Sequence, residues 1–270
     1  MFQRVVTGAV FGILVFGSLF AGSVTFLIFY ITLLILALLE FYRLTGNDRN
    51  EVQKYSAIAV SVILFIMLFG YSSGHIPIKW LAAVILFPPV MMITELYRKK
   101  EKPFANLAWI FYGIIYVAVP LSLMSQLVYP EKTGCYCYDP GILAGLFIMI
   151  MLNDTVAYLV GVSLGRHRLF KRVSPKKSWE GFIGGGLAVM TLSVFMNELF
   201  PVLDVVQWIV IALIVVVFGT LGDLAESLLK RGLGIKDSGS LLPGHGGVLD
   251  RIDAWLFVVP AVWVYLRLTI

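Results

Sequence analysis

Residues 205–228 read VVQWIVIALIVVVFGTLGDLAESL. No charge interrupts the run from Val205 to Gly222, and Asp223 and Glu226 then arrive near its end. A helix needs about 20 predominantly apolar residues to cross the hydrocarbon core of a bilayer, and this run supplies them. The rest of the chain reads the same way. Of 270 residues, 59% are hydrophobic and 14% charged, and the mean hydropathy is +0.90. Soluble domains carry about 25% charged residues, so this chain has too little polar surface to coat a water-soluble particle. A soluble globular enzyme is excluded as the whole answer. Disorder is excluded too, because 21 basic and 16 acidic residues cannot keep so much apolar surface solvated. Membrane barrel strands alternate polar and apolar positions, whereas these runs are continuous. An all-α polytopic membrane protein remains.

Working outward, apolar runs place about nine transmembrane helices at roughly 5–21, 24–42, 55–74, 77–95, 104–128, 141–163, 180–200, 205–228 and 251–268. Turn residues separate them: Gly46-Asn47-Asp48, Gly74, Lys102-Pro103, Asp139-Pro140, Ser174-Pro175, Pro201 and the glycine-rich stretch 232–247. The first run is short. The first two can instead form a re-entrant hairpin, which lowers the count without changing the side of anything that follows. Cytoplasmic loops carry the excess of Lys and Arg. With the N-terminus inside, only Lys79, Lys132 and Arg267 of the 21 basic residues fall outside, and the other 18 fall inside. The expectation is a cytoplasmic N-terminus, an outside C-terminus and an integral protein of the cytoplasmic membrane. No cleaved signal peptide is expected at the Met1 end.

The two halves differ in chemistry. Residues 1–140 form N-terminal transmembrane helices with plain loops, a scaffold or oligomer-forming part. Residues 141–270 hold the unusual polar residues and two long inner loops, 164–179 and 229–250, where function is expected. Cys135 and Cys137 lie one residue apart. A bridge between them would be strained, so they read as incidental thiols. His75, His167 and His245 are scattered, which argues against zinc.

Charges inside spanning segments are costly and mark cavities or sites. Asn153-Asp154 lies within the sixth segment. Asp223, Glu226, Ser227 and Lys230 share one side of the eighth. Asp250 and Asp253 open the ninth, on one face. Structural roles compete: Asp250 as an N-cap, Asp253 in the first turn on the helix dipole, Glu226 paired with Lys230 at i, i+4, and Asp154 in a helix-to-helix hydrogen bond. Asp223 has no local partner, so function is favoured there. Carboxylates beside many cations suggest a divalent ion with phosphates, because Mg²⁺ takes one or two carboxylates plus phosphate oxygens. Gly244-His245-Gly246-Gly247, just before Asp250-Arg251, lets backbone amides approach a phosphate, and the following helix start favours an anion. Gly181 and Gly185, by contrast, are a small-xxx-small pair for helix packing. Neither a Walker sequence nor a dinucleotide-binding glycine motif occurs.

The stretch Ser227-LLKRGLGIKDSGSLLPGHGGVLDRI-Asp253 resembles the signature of the phosphatidate cytidylyltransferases, or CDP-diacylglycerol synthases. Gly222-Asp223-Leu-Ala-Glu226-Ser227, Ser174-PKKSWE-Gly181 and Asn153-Asp154 are similar to further pieces of that family, and together the resemblance covers roughly residues 141–260. It implies the reaction of CTP with phosphatidate to give CDP-diacylglycerol and pyrophosphate, with Mg²⁺ and room for a second cation. It also implies roles. Asp223 and Asp250 would hold metal, with Asp154, Glu226 and Asp253 as further candidates. Lys176, Lys177, Lys230 and Arg231 would act on the phosphates. Ser178, Lys236, His245, Gly246, Gly247, Arg251 and Asn153 would bind substrate. The partners expected are CTP, phosphatidate and membrane lipids, with no nucleic acid and with a homodimer through the first-half helices. A transporter is the main rival, but the outer connections are poor in charge and no internal repeat is evident.

Overall fold

The computed structural model describes residues 2–46, 51–98, 103–130, 136–170, 172–235, 239 and 246–269. Its helices are α1 (Phe2–Phe20), α2 (Ser23–Leu44), α3 (Glu51–Ser72), α4 (Phe87–Arg98), α5 (Pro103–Gly113), α6 (Val119–Leu127), α7 (Gly141–Ser163), α8 (Trp179–Leu199), α9 (Val205–Gly232) and α10 (Leu249–Thr269). A 3₁₀ stretch, Ile78–Leu86, runs into α4, and a π-helical stretch, Ile114–Ala118, joins α5 to α6. Among the described residues eight helical stretches are long and apolar enough to cross a membrane, and the apolar part of α1, Thr7–Phe20, is shorter. The protein is therefore a polytopic, almost wholly helical membrane protein. The expected basic loop 164–179 is not plain loop. It holds an antiparallel hairpin of β1 (Arg168–Phe170) and β2 (Ser174–Ser178), with Arg168 opposite Ser178 and Phe170 opposite Ser174.

By contact the chain divides into two compact units, Met1–Tyr138 with Asp237–Arg251, and Asp139–Lys236 with Ile252–Ile270.

In the first unit, α2 buries Phe26, Tyr30, Leu33, Leu34, Ala37, Leu38 and Phe41, a spacing of three and four that makes one helical face. Aromatic rings fill the layer above it: Phe41 lies 5.9–6.3 Å from the rings of Trp109, Tyr112 and Tyr116. The Tyr42 hydroxyl donates to the Ile110 carbonyl at 3.0 Å. A Cβ on Gly113 would lie 2.7 Å from the Tyr42 ring, so only glycine lets that ring in. The π-helical stretch ends just before Pro120, whose absent N–H and bulky ring break the regular ladder. Cys137 is disulfide-bonded, which corrects the reading of incidental thiols. The sequence's other cysteine, Cys135, lies outside the described residues. The chain from Tyr136 to Asp139 is neither helix nor strand, and the Pro140 carbonyl accepts the Ala144 N–H at 2.8 Å to open α7.

In the second unit, α7 and α8 pack through glycines. A Cβ on Gly181 would come 2.6 Å from the Ala157 carbonyl oxygen, and one on Gly185 2.9 Å from the Asn153 carbonyl oxygen. The small-residue pair is therefore a packing device, as expected. Asp204 caps α9 in a reciprocal box with Gln207. Trp255 of α10 stacks on Phe147 of α7 at 4.1 Å.

Candidate functional site

In the second unit the predicted polar residues converge from α7, β2, α9 and α10. Along β2, Pro175 and Lys176 are exposed while Lys177 and Ser178 turn inward. The Lys177 ammonium meets Asp223 Oδ2 at 2.5 Å, with the two side chains 28% and 41% exposed. Asp223 was expected to lack a local partner, and its ion-pair partner, Lys177, is distant in sequence. Ser227 Oγ, one turn on, donates to Asp223 Oδ1 at 3.4 Å. Lys230 Nζ lies 3.5 Å from Glu226 Oε2, so the i, i+4 pair exists, and Glu226 is 1% exposed. Asp253 shares a side-chain hydrogen bond with Glu226 and feels the charges of Asp223 and Asp154. Asp154 in turn feels Lys177 and is hydrogen-bonded by Asn153. Gly222 makes this approach possible, because a Cβ there would lie 2.8 Å from the Asp253 carbonyl oxygen.

Four carboxyls and two ammonium groups thus gather in this unit. Among the described residues, no group of three or more His, Cys, Asp and Glu is gathered at metal-holding distance. Asp154 and Asp223 are accessible oxygen donors. Asn153 Oδ1 is buried with no hydrogen-bond partner among the described residues.

The first unit holds Gly246, Gly247, Asp250 and Arg251. Gly246 sits at φ +83, and the Gly247 N–H donates to Asp250 Oδ2 at 3.3 Å. Asp250 lies inside the first turn of α10 and folds back on that amide, so it is not itself the N-cap. Arg251 is exposed. The head of α10 was expected to receive a substrate anion. Instead the buried carboxylate of Glu40, in α2, accepts the Val248 N–H at 2.8 Å and the Leu249 N–H at 3.2 Å.

The structure therefore brings together Asn153, Asp154, Lys177, Asp223, Glu226, Lys230 and Asp253, while Lys176 and Arg231 are exposed nearby in sequence. Ser178 is the buried N-cap of α8, accepting the Gly181 N–H at 3.2 Å, so its oxygen is already engaged. Lys236 and His245 lie outside the described residues. Sequence reasoning missed Glu40 and the His167–Glu180 contact, 2.7 Å between Nδ1 and Oε1 at the hairpin base. The rule that singles out Asp223, a charge within an apolar span, applies equally to Glu40.

The model of the cytidylyltransferase family matches residues 2–269. The phosphatidate cytidylyltransferase of Staphylococcus haemolyticus (strain JCSC1435) is 31% identical over 263 residues, 96% of each chain. That of Staphylococcus aureus (strain COL) is 31% identical over 265 residues, 97% of this chain and 98% of its own. That of Staphylococcus saprophyticus is 30% identical over the same length and shares.

Proposed function

The chain belongs to the cytidylyltransferase family, and from that premise we propose that it transfers the cytidylyl group of CTP to phosphatidate within the membrane, giving CDP-diacylglycerol and pyrophosphate. It is a CTP-using nucleotidyltransferase. The lipid acceptor follows from the names of relatives matched over nearly their whole length. One observation carries the chemistry. Lys177 and Asp223 are locked at 2.5 Å within a group of carboxyls at the ends of membrane-length helices, where a charged headgroup and a lipid body can both be served.

In the reaction a phosphatidate oxygen forms a bond to the α-phosphorus of CTP, and the bond from that phosphorus to the bridging oxygen of the β-phosphate breaks. The lipid phosphate is already an anion, so no general base is needed. The barrier is electrostatic, as in other phosphoryl transfers. Asp223 would hold Mg²⁺, with Asp154, Glu226 and Asp253 supporting and a second cation accommodated, and the metal would offset phosphate charge when bound. Lys177 exchanges its carboxylate partner for a substrate phosphate. Lys176, Lys230 and Arg231 supply further positive charge, with Lys236 and Arg251 from the signature stretch. Gly246, Gly247 and His245 line the nucleotide. Asp250 contributes as a second acidic group. The inward excess of basic residues supports a site facing the cytoplasm, in the cytoplasmic membrane.

The test is incubation of the purified protein with labelled CTP, phosphatidate and Mg²⁺, following label into the lipid phase against a metal-free control. Transfer that needs all three supports the reading. Label that stays in the aqueous phase, in protein shown to be folded, defeats it.

A further inference from the structure

Glu40 sits inside a membrane-length apolar helix, where a charge needs a reason. It is 2% exposed, and its two carboxylate oxygens take one backbone amide each, from Val248 and Leu249. These amides open α10 and have no partner within the helix. A carboxylate suits them twice over, by hydrogen bonding and by charge against the positive helix end. The turn it grips is tightly determined. Gly246 takes a left-handed φ of +83, and a Cβ there would come 3.0 Å from Asp250 Oδ2. Gly247 donates to Asp250, and the Arg251 N–H donates to the Val248 carbonyl at 3.0 Å. A Cβ on Gly239 would meet Glu40 Cδ at 3.2 Å, so Gly239 packs against the same carboxylate.

We propose that Glu40 is a positioning residue for the nucleotide: it fixes the Gly246–Arg251 turn so that Asp250 and Arg251 are presented in one orientation. This rests on the reading that the turn lines CTP. Two adjacent amides require two acceptor oxygens. Glutamine offers one, and its NH₂ group would face the second N–H, so Glu40→Gln changes little volume yet releases half of the grip.

The experiment compares full-length wild type, Glu40→Gln and Glu40→Asp, purified in detergent, by three readouts: KM and kcat for CTP at fixed phosphatidate, hydrogen–deuterium exchange across 246–251, and thermal unfolding. For Glu40→Gln the expected result is about a tenfold rise in the KM for CTP, the scale of one charged hydrogen bond. The kcat should change less than the KM, and exchange at Val248 and Leu249 should speed up while the unfolding temperature holds. Glu40→Asp keeps both oxygens on a shorter arm and should fall between; if Glu40→Gln does not fold, Glu40→Asp carries the same comparison. An unchanged KM for CTP in an active enzyme overturns the positioning role, as does unaltered exchange at the turn. So does a fall of kcat and unfolding temperature together at constant KM, which marks simple structural support. Wild-type protein that transfers no label defeats the catalytic reading instead, and is seen without any variant.

Discussion

At 2.5 Å the Lys177 ammonium answers the Asp223 carboxylate in the free protein, yet both side chains remain partly open to solvent. An ion pair so exposed contributes little to stability, typically under about 1 kcal/mol. Removing either group should therefore leave the fold intact and expose its chemical role. Asp223→Asn is expected to lower CTP-dependent turnover by about 10²-fold or more, the scale of losing one electrostatic stabiliser, with an unchanged unfolding temperature. Asp250→Asn should do the same, and near-normal turnover of either purified variant would remove that residue from the proposed metal chemistry. The hairpin sharpens the comparison. Lys177→Ala should cost more turnover than Lys176→Ala, because Lys177 pairs with the Asp223 carboxylate while Lys176 is exposed. Equal losses would mean that the basic residues act as a diffuse field.

Among the elements, α7 and α8 depend on the absence of side chains. Gly181→Ala would set a methyl 2.6 Å from the Ala157 carbonyl oxygen, so the helices must separate. Overpacking of this kind costs about 1–3 kcal/mol, read as a lowered unfolding temperature in detergent. Gly232→Ala, at the end of α9 with nothing within 4 Å, should show no such loss. This contact was legible because glycines four apart on an apolar helix have one main use. The spans were legible for the same reason: an uncharged run such as 205–222 has few other fates. The hairpin was not, since Arg168–Phe170 and Ser174–Ser178 are short, polar and basic, with no apolar alternation to mark a strand. The grip of Glu40 on Val248 was hidden by a separation of 208 positions, and the pairing of Lys177 with Asp223 likewise joins segments that sequence spacing cannot relate. Local periodicity therefore gave up the helices, charges within apolar spans and the family resemblance supplied the candidate site residues, and the partners of those residues emerged only from packing.

For the whole molecule, exposure and charge set two expectations. The stretch Ile78–Arg98 carries Ile85 at 75% exposure and Leu96 at 77%, an apolar face that must meet lipid or a second copy. We propose a homodimer through the first-half helices, so cross-linking in native membranes should yield a dimer, and monomer alone would refute it. Orientation is the sharper case. The charge count puts the N-terminus and the hairpin in the cytoplasm, and the connection holding Cys137 outside. A disulfide at Cys137 suits that side, since such bonds persist in oxidising surroundings and are rare in the cytosol. In a background with Cys135→Ser and Cys137→Ser, introduced thiols are clean reporters. Lys79→Cys and Lys176→Cys replace exposed residues assigned to opposite sides. A membrane-impermeant maleimide applied from outside should label Lys79→Cys and spare Lys176→Cys, and inverted vesicles should reverse the pattern. Labelling of Lys176→Cys from outside would place the hairpin away from cytoplasmic CTP and overturn the proposed orientation.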